Sequence, residues 1–183
     1  MAHPRKLIRH AVVALLVGAN TAAGARVQPT RVEPHEEADL PALGVYTLTD
    51  PVDDDASTQT EEAHEVELEI IGWVAHSDQV SADDAMDDLA EQVEKAMKSD
   101  PYLGGNASEV RFRGTVMQVV EDDGRTDPTV GIVVLRYDVK YRSSLVAANP
   151  TDNFNRVNAT TRIVGADEDN TAHDNFVVQE PTP

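Results

Sequence analysis

Glu65-Val66-Glu67-Leu68-Glu69-Ile70 is the stretch that decides the fold. Acidic and apolar residues alternate at every step. That is the two-residue period of a β-strand, whose successive side chains point to opposite faces. One face of this strand is wholly acidic and the other wholly apolar. The strand therefore belongs to a sheet with one face on a core and the other turned away from it. The run continues through Ile71-Gly72-Trp73 to about Ala75.

Downstream, Ser81-Ala82-Asp83-Asp84 opens a helix like a capping box, with Asp standing in for Glu. Asp83, Asp84, Asp87 and Asp88 lie toward the positive end of the helix dipole, and Lys95 and Lys98 toward the negative end. Ala85, Leu89, Val93 and Ala96/Met97 form the apolar stripe. Asp100-Pro101 stops the helix. Two strands follow. In Val110 to Val120, the residues Val110, Phe112, Val116 and Val120 share one face, with Arg111 and Arg113 opposite. In Ile132 to Arg142, Val133, Leu135, Tyr137, Val139 and Tyr141 point one way, and Arg136, Asp138, Lys140 and Arg142 the other.

Upstream, Leu40 to Leu48 reads as a strand and Val27 to Val32 as a short one interrupted by Pro29. Asp50 to Glu62, with Asp53-Asp54-Asp55, Glu61 and Glu62, reads as a polar loop with little to bury, expected to be mobile. Arg5 to Val17 reads as a first helix whose stripe is Leu7, Ile8, Ala11, Val12 and Leu15. The same segment also fits a secretory leader: basic Arg5, Lys6 and Arg9, an apolar run, then Ala23-Gly24-Ala25. The helix is the expectation carried forward. The apolar run is too short to cross a membrane, which takes about 20 residues, and no membrane contact is expected.

The order α, β, β, β, α, β, β predicts an α+β fold. The expected sheet is mostly antiparallel and four- to five-stranded, with two helices packed on one face, over residues 1–143. Residues 144–183 carry six Asn, three Pro and no period. They read as an extended C-terminal arm whose clusters Ile163-Val164 and Phe176-Val177 suit docking on another subunit.

Composition narrows the function. The 183 residues carry 15 Lys plus Arg against 33 Asp plus Glu, a formal charge of −18, which opposes a grip on phosphates. With no Cys, disulfides, thiolate catalysis and Cys-based metal sites are excluded. The charge is segregated: residues 1–31 hold Arg5, Lys6, Arg9, Arg26 and Arg31 and no acid. Such a head suits an interface with an acidic neighbour.

Chemistry is hard to find. The six His form no H-x-x-x-H or H-E-x-x-H pair, and there is no G-x-S-x-G, Walker A or G-x-G-x-x-G motif. The acidic clusters lack EF-hand spacing and read as solvated faces and loops. No catalytic residue, metal ligand or cofactor is expected. Glu65, Glu67 and Glu69 on one strand and Arg111, Arg113, Arg136, Lys140 and Arg142 on others stand out. They could pair across strands within one sheet, at about 0.2–1 kcal/mol a pair. They could equally form complementary faces on neighbouring subunits.

The order of pieces resembles the tail terminator proteins of long-tailed bacteriophages, the minor tail protein U type. The residues that carry the resemblance are the first helix, Arg26-Val27, and Asp39-Leu40-Pro41-Ala42-Leu43-Gly44-Val45-Tyr46. The alternating Glu65–Ile70 strand, the helix from Asp83, and Tyr137-Asp138-Val139-Lys140-Tyr141 complete it. The resemblance implies a structural virion subunit without catalysis that forms a homo-hexameric ring. The ring caps the tail tube, ends its polymerisation and meets a neck or stopper protein on the head side. DNA passes through its centre unbound. The implied place is the head-proximal end of the tail, after assembly in the host cytoplasm. On this basis Arg5, Arg9, Arg26, Arg31, Glu65, Glu67, Glu69, Arg111, Arg113, Arg136 and Arg142 are subunit-interface candidates. Asp53–Asp55, Glu61 and Glu62 are tube- or neck-contact candidates. The alternatives are a head-completion protein, an exported binding module with a cleaved leader, and a carboxylate-based enzyme.

Overall fold

The computed structural model describes residues 2–30, 39–76, 79–120 and 129–145. The first element, α1, spans Pro4–Gly18, followed by strands β1 (Val27–Gln28), β2 (Ala42–Thr47), β3 (Val52–Asp53) and β4 (Glu61–His76). Then come α2 (Gln79–Ser99), a 3-10 turn at Leu103–Gly105, and strands β5 (Glu109–Val120) and β6 (Thr129–Ser144). The strands form one sheet in the order β1-β2-β4-β6-β5, with β3 also pairing β4. β1 and β2 are parallel and every other pair is antiparallel.

The fold class is the expected α+β and the sheet is mostly antiparallel as expected, β1 with β2 being its one parallel pair among the described residues. One correction is the strand count, six rather than four or five. The sixth strand comes from the segment read as a mobile loop. Val52 and Asp53 pair with His64 and Ala63, and Asp53 Oδ1 accepts the Ala56 N–H at 3.1 Å, closing a turn. Asx-type turns of this kind let a polar segment order itself without burying apolar area.

The alternation of β4 holds. Val66, Leu68 and Ile70 are fully buried against the helices, beside Val133, Leu135, Tyr137 and Val139 of β6. Pro4 begins α1 at a position where its missing N–H costs nothing, and the His3 side chain accepts the Arg5 N–H at 3.3 Å. Ile8, Val12 and Leu16, spaced four apart, are the buried line of that helix. Met86, Leu89, Val93, Ala96 and Met97 are the buried line of α2. Two strand glycines seat this helix. A Cβ at Gly72 would lie 2.8 Å from Leu89 Cδ2, and one at Gly131 would lie 2.8 Å from Met86 Sδ.

β5 departs from the expected parity. Its pairing with β6 shifts between Phe112 and Gly114, a β-bulge at Arg113. Gly114 there adopts φ +153°, which an L side chain rarely takes. Before the bulge, Val110 and Phe112 face the same side as Val139 and Tyr137. After it, Thr115 and Met117 pair with Leu135 and Val133 and take over that side. Val116 is therefore on the opposite face from Phe112 rather than beside it. The arm, with Ile163, Val164, Phe176 and Val177, lies outside the described residues, as does Arg31.

Candidate interaction surface

Both helices cover one face of the sheet, and the other face carries the charges. Glu69 accepts from Arg136 Nε at 2.8 Å, and Arg113 Nε pairs with Asp138 at 3.2 Å. Glu109 takes both Lys140 at 3.2 Å and Arg111 at 3.0 Å, and Arg142 approaches Glu61 at 3.6 Å. Lys140, then Arg111, hold the Glu109 carboxyl below the usual carboxylate range. Glu67 sits opposite a like charge, Asp138, and the Thr49 hydroxyl donates to it at 3.3 Å. Pairing within the sheet thus engages Glu69, Arg111, Arg113, Arg136 and Arg142. The arginines of these pairs are about half exposed, so solvent screens them and they can be shared with a neighbour at little cost.

Above the charges the same face turns apolar. Ala42, Tyr46 and Trp73 form a small cluster with Leu40, Ile71 and Ile132 packed against it. Below, the face hollows into a shallow cleft of about 570 Å³. Its polar lining includes Thr49, Glu65, Glu67, Arg113, Arg136 and Asp138. Carboxylates outnumber guanidiniums there, and both guanidiniums already have carboxylate partners.

The helix-covered face holds a polar network at its lower edge that the sequence reading missed. Asp50, whose side chain is 8% exposed, accepts from Tyr141 Oη at 2.9 Å, pairs with Arg5 Nε at 3.3 Å and meets His64 Nδ1 at 3.2 Å. His64 stacks on Tyr141 with ring centroids 4.6 Å apart, and its Nε2 lies 3.1 Å from Ser143 Oγ. Burial, followed by the hydrogen bond to Asp50, pushes the Tyr141 phenol well above its ordinary pKa. Asp50, His64 and Ser143 stand in the order of an acyl-transfer triad. Here, though, Arg5 and Tyr141 compete for the carboxylate, and the cleft lies on the opposite face. The network clamps the start of α1 to β4, β6 and the segment after β2. Strand parity held its signal: His64 and Tyr141 both fall on the apolar side of their strands.

The basic head is largely engaged inside the subunit. Arg5 reaches Asp50, and Arg9 Nη1 donates to Thr47 Oγ1 at 3.3 Å. Arg26 donates to the Pro41 carbonyl at 2.9 Å and the Ala22 carbonyl at 3.4 Å. Arg26 thereby ties the chain before β1 to the start of β2. Asp53 at the end of β3 and Asp54 and Asp55 in the turn after it lie exposed, Glu61 is exposed at the start of β4, and Glu62 approaches His64 Nε2 at 3.5 Å.

No protein-family model and no curated protein matches the sequence. Among solved structures, the chain is similar to one from the virion of a native gene transfer agent particle. The two share 15% identity over 73% of this chain and 94% of that one, with a TM-score of 0.36.

Proposed function

We propose that this chain is a structural virion subunit of the tail-terminator kind. It forms a ring, six-membered by the resemblance, that caps the tail tube and joins it to the neck. The observation that carries the reading is the pairing of element order with a sheet face that bears no helix among the described residues. Apart from the added β3, helix, strand pair, alternating strand, helix and strand pair follow one another in the order of the resemblance. The face without helices offers exchangeable ion pairs and the exposed Val116 beside the buried Trp73–Tyr46 cluster, a surface suited to other protein subunits. Its partners are copies of itself, the tube protein and a neck protein. The subunit works by binding alone and performs no catalysis. Among the described residues no helix is long and apolar enough to cross a membrane.

The −18 charge of each copy fits this role. Acid around a central channel repels the DNA backbone, so the genome passes without sticking. The test is mass photometry of the purified chain across a concentration series. A closed species of six supports the proposal, whereas a monomer at every concentration contradicts it.

A further inference from the structure

We infer that the two sheet edges left unpaired among the described residues join copies of this chain head to tail, the β5 edge of one beside the Leu48–Asp53 edge of the next. This deepens the ring reading and rests on it. A closed ring needs a heterologous contact, in which two different surfaces of one subunit complement each other. The sheet supplies two such surfaces.

At one side stands β5, 12 residues long and bonded only to β6 among the described residues. Natural sheets guard such edges with charge, proline or bulges, because unpaired backbone groups recruit another strand. Here the bulge and the two arginines guard the first half alone. Gly114 to Val119 contains no charge and no proline, and it exposes Val116 at 45% and Met117 at 38%.

At the other side, β1 covers only Leu43 and Gly44 of β2. From Leu48 the chain keeps bonding to β4: Leu48 N–H reaches the Glu67 carbonyl at 2.9 Å and the Glu65 N–H reaches the Pro51 carbonyl at 3.2 Å. Leu48 is 39% and Val52 42% exposed along this margin.

Charge selects the partner. The β5 edge carries Arg111 and Arg113, with side chains 55% and 60% exposed, while the opposite edge ends in exposed Asp53, Asp54 and Asp55. Arg111 lies across from Asp138, whereas Asp53 lies across from Ala63 and Ala63 across from Arg142, four residues further along β6. A stagger of a few residues sets the arginines of one copy beside the aspartates of the next. In a chain of charge −18, this is a place where repulsion between copies turns into attraction.

The absence of native cysteine makes the test direct. Val52→Cys and Val116→Cys chains, tagged to differ in mass, are co-expressed and treated with a short bismaleimide. Leu48→Cys with Met117→Cys is a second pair should either first variant fail to fold. The expected product is the mixed cross-link, in severalfold excess over either homodimer. A dominant Val116→Cys homodimer would mean that two β5 edges meet, and would overturn the inference. An oligomer that forms without the mixed product would overturn it too, while leaving the ring reading standing. A monomer by mass photometry would overturn both.

Discussion

Leu89 of α2 rests in the hollow over Gly72, and that contact gives a prediction whose size can be worked from distances. A Cβ at residue 72 would lie 2.8 Å from both Leu89 Cδ2 and Val133 Cγ1, and 3.3 Å from Leu43 Cδ2. Carbon atoms pack at about 3.5–4.0 Å, so Gly72→Ala overlaps two side chains by roughly 1 Å each. Overpacking on this scale costs about 1–3 kcal/mol. Leu89 is 1% exposed, and Leu89→Ala should cost about 2–5 kcal/mol through lost transfer energy and a cavity. In the double variant the new methyl enters space that Leu89 has left. One of the two overlaps disappears and the cavity shrinks, so the double should fall short of the sum by at least about 1 kcal/mol. Gly131→Ala is the internal comparison. Its nearest neighbours are Met86 Sδ at 2.8 Å and Cγ at 2.9 Å. An unbranched thioether can move aside, so this variant should be milder than Gly72→Ala. Urea unfolding followed by the fluorescence of Trp73, the single tryptophan, measures all four variants. Additive costs in the double, within about 0.3 kcal/mol, would refute the seating of Leu89 over Gly72.

Two buried phenols separate a satisfied from an unsatisfied hydroxyl. Tyr141 Oη donates to Asp50, so Tyr141→Phe should cost about 1.5–3 kcal/mol at pH 7, whereas Tyr137 Oη is buried without a partner and Tyr137→Phe should be neutral or gain up to about 1 kcal/mol. Burial raises both phenols above their ordinary value of 10, joined by Glu94 at Tyr137 and by Asp50 at Tyr141. The unfolded chain therefore loses these protons first. The stability they confer is full below pH 10 and falls as the pH climbs beyond it. Melting curves from pH 8 to 11 should show that fall, and each Phe variant should flatten it; an unchanged slope would contradict the assignment. Ser143, beside His64, should stay unlabelled by a fluorophosphonate in peptide mapping, because Arg5 and Tyr141 hold the Asp50 carboxylate in a clamp. Labelling at Ser143 would favour an enzyme.

The legible parts of the fold were those with an unbroken period. Glu65 to Ile70 and Leu135 to Tyr141 alternate without interruption, and their faces are as the alternation requires. The first helix was legible in its Ile8–Val12 line, but Leu16 rather than Leu15 continues it, because a step of four keeps a short helix on one stripe. Parity failed at Arg113. A single bulged residue swaps the faces of everything after it, and only Gly114 hinted at one. β3 was hidden because two exposed residues, Val52 and Asp53, pair through backbone and leave no hydrophobic signature. Among the surface candidates, sign alternation correctly grouped Glu69 with Arg136 on one face. It could not show that Arg5 and Arg26 are held within the subunit, since Asp50 and the Pro41 carbonyl are brought to them by tertiary packing. The Asp50–His64–Tyr141 network was invisible for the same reason: its members come from chain positions as far as 91 residues apart.

The central claim is a place in a particle. A reconstruction of the particles released by cells that make this chain would test it most directly. The account predicts six copies in a closed ring between the last layer of tail tube and the neck, each turning acidic surface toward the DNA channel. Density for the chain in another part of the particle, or no copy in the particle at all, would contradict it.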